Sequence, residues 1–472
     1  VGLLNFLKPK VRRVFVVGLD CAAPELVFQQ WRDDLPNLRS LAERGMWGEM
    51  QSCTPAITVP AWSSMLSSKD PGVLGIYGFR NRADHSYDKM STAMSTAVRE
   101  KRVWDILGDA GKRSVVLGVP QTYPVQPLNG WLVSDFLTPG RHNAFAYPPE
   151  LRDEVLRVAP AYDFDVPDFR SEDKGWLLKQ VYAMTDTHFA VIDRLMAEKP
   201  WDFFMSVEIG VDRMHHGFWS HHDPRHFRYQ AGNPFERAIH DYYVYIDRKL
   251  GEWLGKLPAD TAVLVVSDHG AKRMDGGICL NEWLWRNGYL AFKQDPVRGQ
   301  VTPLEKLEID WSRTTAWGSG GYYGRVFLNV QGREPQGIIP ADQYETMRAE
   351  LAHKLAAIPD TQGRDIGTRV FRPQDIYRQV NGIAPDLIVY FGDLLWRSVG
   401  TLGYDSVYTF DNDTGPDDCN HAQNGMFILA DPRQRNARGR EVEGVQLMDI
   451  APTILRLFDV AVPGDMQGRA LI

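Results

Sequence analysis

Cysteine is scarce in this chain. There are four in 472 residues, at Cys21, Cys53, Cys279 and Cys419, and no CxxC pair among them. So scattered a set excludes a disulfide framework and predicts reduced thiols in a cytoplasmic protein. Long apolar runs are missing too: no stretch approaches the roughly 18 apolar residues of a membrane span. The apolar part of residues 1–10 is too short for a signal peptide, although a chain opening on Val1 rather than Met leaves room for an upstream segment. Basic charge is not in excess. The formal net charge of −7 argues against a general polyanion binder, so no nucleic acid polymer is expected as a partner. A small phosphorylated substrate stays compatible, because bound divalent cations would invert the charge locally. Internal repeats and low-complexity tracts are absent. With 44% hydrophobic and 24% charged residues, the composition is that of a globular protein with a large core.

What the sequence does contain is a recurrence. Three apolar strand-like runs end in metal-binding side chains: Val14 to Asp20, Val263 to Asp268 with His269, and Phe203 to Asp212 followed by His215 and His216. A buried strand that stops at an acid carries charge to the rim of a sheet, where open α/β folds place ligands. Around these runs, strand-like and helix-like segments alternate, the pattern of a parallel sheet covered on both faces. Helices are predicted over about 180–197 and about 235–255, the second with Ile239, Tyr242, Tyr243, Ile246 and Leu250 on one stripe. The stretches about 125–178 and about 291–370 fit the core pattern poorly. Both are expected to be insertions or a cap, the second with hairpin signals at Gly318 to Gly324.

Asp212 and His216 lie four apart, so one helical face can present both to a single cation. Asp268 and His269 are contiguous and require a turn to converge, while His421 sits in a polar segment before a strand. Carboxylates mixed with imidazoles suit Zn²⁺ or Mn²⁺ better than Ca²⁺ or Mg²⁺. Cys21 and Cys419 are close enough in sequence to these residues to approach a metal, but small buried space-fillers are the plainer reading. Pro60 marks a helix start that places the Thr58 hydroxyl near free N–H groups. Thr58 is then either a helix cap or, beside a metal cluster, a nucleophile activated to its alkoxide. The other imidazoles nearby, His215, His221, His222 and His226, are expected in a solvated loop, and Trp62, Phe218 and Trp219 in the core or a pocket wall.

Taken in order, Gly18 to Asp20, Thr58 to Trp62, Asp212 with His216, Ser267 to Gly270 and His421 resemble the alkaline phosphatase superfamily. The nearer resemblance is to its type I phosphodiesterase/nucleotide pyrophosphatase branch, in the group of predicted phosphohydrolases or phosphomutases. It extends through Pro71 to Gly78, Gly332 to Gly337, Ala384 to Ile388 and Asp449 to Leu455. The resemblance implies one domain over 1–472, a three-layer α/β/α sandwich with a mostly parallel central sheet and cap insertions. It implies two divalent metal ions, Zn²⁺ or Mn²⁺. Asp212, His216 and His421 would hold one, and Asp20, Asp268 and His269 the other, completed by the Thr58 oxygen. The implied activity is hydrolysis of a phosphodiester or phosphomonoester through a phosphothreonine. A phosphomutase, or a binding protein that has lost the chemistry, are the alternatives. Phe79 stands where nucleotide pyrophosphatases place a phosphoryl-binding Asn, leaving Asn81, Arg80 or Arg82 to take over. The nucleophile region lacks the pattern of a sulfatase.

Overall fold

A computed structural model describes residues 11–434 and 439–472, so the reading of the N-terminal segment lies outside the described residues. Seven strands form the body of the central sheet: β1 (Arg13–Leu19), β2 (Met46–Gln51), β3 (Ser114–Leu117), β4 (Gly130–Val133), β5 (Phe203–Glu208), β6 (Thr261–Val266) and β7 (Asn424–Ala430). Their order is β2-β7-β6-β1-β5-β3-β4, with short strands added at both edges. From β6 to β4 every neighbour is parallel; β7 alone of the seven runs the other way. The stretch expected to leave the core at about 125 therefore first contributes β4 to the sheet.

Alternation along β1 explains the layering. Phe15, Val17 and Leu19 enter one hydrophobic cluster, Val14 and Val16 the other. Six helices matter for the argument: α1 (Thr58–Ser67), α2 (Val103–Asp109), α3 (Lys174–Glu198), α4 (Gly210–His222), α5 (Ala238–Lys256) and α6 (Ile450–Leu457). α3, α4 and α5 cover the first face and α1, α2 and α6 the second, which makes the expected α/β/α sandwich. The α5 stripe of Ile239, Tyr242, Tyr243, Ile246 and Leu250 is buried throughout.

A separate antiparallel sheet runs Ala316–Ser319, Gly324–Leu328, Leu387–Tyr390, Arg369–Phe371 and has its own apolar cluster, packed with the helix Tyr344–Ala356. Its first hairpin holds Gly320 to Tyr323 over the C-terminal edge of the central sheet. Among the described residues, no helix is long and apolar enough to cross a membrane.

Register is what positions chemistry here. Gly18 of β1 pairs with Val207 of β5 on one side and Val266 of β6 on the other. Asp20 and Asp268 thus each emerge two residues beyond the same rung, and α4 starts at the same level. Gly18 is required there for space: a Cβ would lie 2.6 Å from the Trp62 ring and 2.7 Å from Val207. Gly18→Ala is predicted to cost about 1–3 kcal/mol by overpacking, read as a lower urea midpoint. An unchanged midpoint would show that the Trp62 ring can yield.

Candidate active site

The strand ends bring two sets of side chains together, all buried. Asp212, His216 and His421 form one; Asp20, Asp268 and His269 form the other. Within each set the potential ligand atoms lie within 4.8 Å of one another. Asp212 and His216 occupy one face of α4, with Asp212 Oδ1 3.2 Å from His216 Nε2. Asp268 and His269 fill the turn between β6 and Gly270–Arg273, with Asp268 Oδ2 3.1 Å from His269 Nε2. Gly270–Arg273 pairs antiparallel with Cys419–Ala422, setting Ala271 opposite His421. The His421 ring consequently stacks on His269 at 3.8 Å, which joins the two sets.

Thr58 is the first residue of α1. Ile57 is the N-cap, and it makes no side-chain capping bond. The Thr58 hydroxyl instead meets His269 Nε2 at 3.3 Å, buried between the two sets. The capping role is thereby excluded, and the hydroxyl has no structural duty to the helix.

Each ligand candidate is oriented from behind. Trp62 donates its indole N–H to Asp20 Oδ2 at 2.7 Å, and the Cys21 backbone N–H donates to Asp268 Oδ1 at 3.2 Å. The Ala56 and Gly270 carbonyls accept from Nδ1 of His421 (2.9 Å) and His269 (3.1 Å), which turns each Nε2 lone pair inward. Asp417 Oδ1 takes Nδ1 of His216 at 2.6 Å. Asp417 is in turn held by Arg397 at 3.0 Å, Arg170 at 3.2 Å and the Tyr322 hydroxyl at 3.2 Å. What remains inside are atoms with no protein partner: Asp20 Oδ1, Asp268 Oδ2 and His421 Nε2. Buried polar atoms are rarely left so, and oxygen and imidazole donors facing one another fit a divalent cation.

The electrostatics point the same way. Burial, then the nearby Asp212 charge, raises Asp20 well above the usual carboxylate range; burial and Asp20 do the same to Asp268. Burial alone would also raise Asp212, but His216 and Arg213 hold it well below. Burial pushes His269 down to about 4 and, with the charges of His269 and His216, lowers His421 strongly, so both imidazoles are neutral and able to coordinate near pH 7. Burial opposes protonation of His216 as well, yet Asp417 and Cys419 raise it well above its ordinary value.

Other expectations fare differently. His215, His221 and His222 lie in helix α4 rather than a solvated loop, the last two half-buried at its end, and His226 lies in the turn beyond it. His215 is fully buried with Nε2 3.2 Å from the Tyr243 hydroxyl, and His226 is buried against Phe227. Asn81 is spent on its own loop: Oδ1 accepts from Tyr77 N at 2.8 Å and Nδ2 donates to the Gly78 carbonyl at 3.0 Å. Arg82 pairs with Glu334 at 3.1 Å. Arg80 does line the cavity of about 390 Å³ that contains Thr58, Asp212, His216 and His421. Asp417 and the arginines around it are missed at the level of sequence; the one signal is the place of Asp417 in the polar run before His421, and Arg170 and Arg397 carry none.

A mostly parallel sheet under two helical layers, with acids and imidazoles gathered at its C-terminal edge, defines a hydrolase of the alkaline phosphatase superfamily. The profile of the type I phosphodiesterase / nucleotide pyrophosphatase family matches residues 14–417, and the chain belongs to that family. It is a phosphoric ester hydrolase. Human ectonucleotide pyrophosphatase / phosphodiesterase 5 shares the fold at 12% identity and a TM-score of 0.53, over 96% of each chain. Phosphonoacetate hydrolase from Sinorhizobium meliloti 1021, solved with phosphonoacetate, does so at 17% identity and 0.57, over 96% of this chain and 97% of that one. No curated protein matches the sequence.

Asp417 orients His216 as carboxylates orient metal-bound histidines elsewhere. Asp417→Asn is predicted to weaken Zn²⁺ or Mn²⁺ binding about 10- to 100-fold, measured by titration against a chromogenic chelator. Affinity equal to the native protein's would leave Asp417 a structural role alone.

Proposed function

We propose that the protein is a two-metal phosphoester hydrolase in which Thr58 is the nucleophile and a phosphothreonine the intermediate. The observation that carries this reading is the Thr58 hydroxyl itself, buried, free of capping, and set between two groups of inward-facing ligand atoms. In this reading Asp212, His216 and His421 hold one cation; Asp20, Asp268, His269 and the Thr58 oxygen hold the second. Zn²⁺ is the favoured metal and Mn²⁺ the next, on the mixed oxygen and nitrogen donor set. When bound, such a pair lowers the pKa of an attacking oxygen and neutralises charge on a leaving one.

The chain's own contribution is orientation. Thr58 gives up its hydroxyl proton to solvent and its oxygen attacks phosphorus, forming an O–P bond as the bond to the ester oxygen breaks and the alcohol portion leaves, taking up a proton from water. Water then cleaves the phosphothreonine, restoring the hydroxyl. The first turn of α1 faces the site with its unpaired N–H groups, so developing negative charge is favoured there. Trp62, Ala56, Gly270 and Asp417 keep the ligand side chains from rotating out of place. The substrate is a small phosphorylated molecule, in keeping with a cavity of about 390 Å³. A cytoplasmic location accords with four cysteines that are all free and buried.

Two experiments test this. Turnover of 4-nitrophenyl phosphate and bis(4-nitrophenyl) phosphate should fall at least about a thousandfold in Thr58→Ala, while most of the bound metal stays. Activity near the native level would remove Thr58 from the nucleophile's role. Asp212→Ala and Asp268→Ala should each lose one cation per chain by elemental analysis and lose activity with it. An unchanged metal content would refute the ligand assignment. Transfer of the phosphoryl group to water, giving inorganic phosphate from a monoester or a monoester from a diester, rather than to an added alcohol, separates a hydrolase from a phosphomutase.

A further inference from the structure

Five arginines line the cavity around Thr58: Arg80, Arg170, Arg213, Arg325 and Arg397. Three of them already have carboxylate partners. Asp165 grips Arg213 through two bonds of 2.7 Å, and Arg213 also reaches Asp212. Arg170 and Arg397 share Asp417. Arg80 and Arg325 are different. Among the described residues neither has a carboxylate partner, and the Arg80 side chain is exposed. Arg325 bonds only to neutral oxygens: Nη1 donates to the Arg80 carbonyl and Nη2 to Ser319 Oγ at 2.8 Å.

Their location gives the two charges a purpose. Both stand on the wall shared by the Thr58 cavity and a larger neighbour of about 870 Å³. That neighbour is walled by Trp317 and by Tyr87 and Trp311, whose rings stack at 3.5 Å. An ordinary solvated basic face would not be braced in this way. Arg325 is anchored in the strand Gly324–Leu328 and ties down the Arg80 backbone, so both residues are rooted at the junction with the Arg80 side chain free to reach a ligand. Neither charge has a carboxylate to offset it, and guanidinium groups favour oxyanions.

We propose that Arg80 and Arg325 receive a second anionic group of the substrate, a carboxylate or a phosphate borne by the alcohol portion of the ester. This rests on Thr58 as the reacting oxygen, which fixes the scissile phosphoryl in the smaller cavity. The substrate class is then a doubly anionic phosphoester whose alcohol portion extends past the two arginines towards the aromatic wall.

The test uses three aryl phosphate esters alike except at the 3-position, which carries a carboxylate, a phosphonate or a neutral carboxamide. They are made in whichever class, mono- or diester, the metal-loaded enzyme turns over faster. Native enzyme should prefer one or both anionic esters over the carboxamide by about tenfold or more in kcat/KM, mostly through KM, and the favoured one names the anion. The ratio should fall to near one in Arg80→Met and in Arg325→Met. Equal use of all three esters by the native enzyme would overturn the proposal. So would a preference that survives both substitutions. Binding of the matching non-hydrolysable arylphosphonates, read by calorimetry, reports the same ratio without turnover. An inactive enzyme that still shows the preference would count against the Thr58 reading and not against the anion site.

Discussion

The arrangement depends on one constraint: three carboxylates, Asp20, Asp212 and Asp268, converge with almost no exposed surface. Like charges in a low-dielectric site raise one another's pKa, and each buried ion without partners costs several kcal/mol. The protein relieves only one of the three internally. Asp212 is held ionised by His216 and Arg213, whereas burial and the Asp212 charge drive Asp20 up, and burial and the Asp20 charge drive Asp268 up. Because their folded values are raised, the metal-free protein loses stability as pH climbs from the ordinary carboxylate range through those elevated values. Cations that bind the folded chain but not the unfolded one reverse that loss.

Everything around the acids holds them in this unfavourable proximity. The common register of β1, β5 and β6 delivers the strand ends to one level. The ribbon of Gly270–Arg273 with Cys419–Ala422 carries His421 across from the far end of the chain. Outward-facing atoms of the ligand side chains are tied to Trp62, Ala56, Gly270 and Asp417, so only the inward atoms are unpartnered. The hairpin of the second sheet closes the site from above, with Tyr322 stacked on His421 at 4.2 Å. Its phenolic oxygen joins the Asp417 cluster. Cap and metal-ligand candidates are thus parts of a single hydrogen-bonded body.

Much of this was legible in the sequence because it follows from local periodicity. Apolar runs ending at Asp20 and Asp268 read as strands meeting the sheet's rim, and the four-residue spacing of Asp212 and His216 read as one helical face. What lay hidden were partnerships without a sequence code. Asp417 lies 201 residues from His216, and Trp62 lies 42 from Asp20; nothing local tells such a partner from a core residue. The histidines after Asp212 misled for the same reason. They look solvated in sequence; His221 and His222 stay half-exposed, while Tyr243 and Trp219 line the buried His215 and Phe227 stacks on the buried His226. Asn81 offered the right chemistry at the right distance in sequence, but its loop consumes both amide atoms.

The mechanism turns on where cations sit relative to one hydroxyl, and anomalous diffraction from Zn²⁺-loaded crystals measures that position. Two peaks are predicted, one among Asp212, His216 and His421 and one among Asp20, Asp268 and His269, with Thr58 Oγ1 in contact with the second. A single peak, or two peaks with the hydroxyl turned away from both, would contradict it.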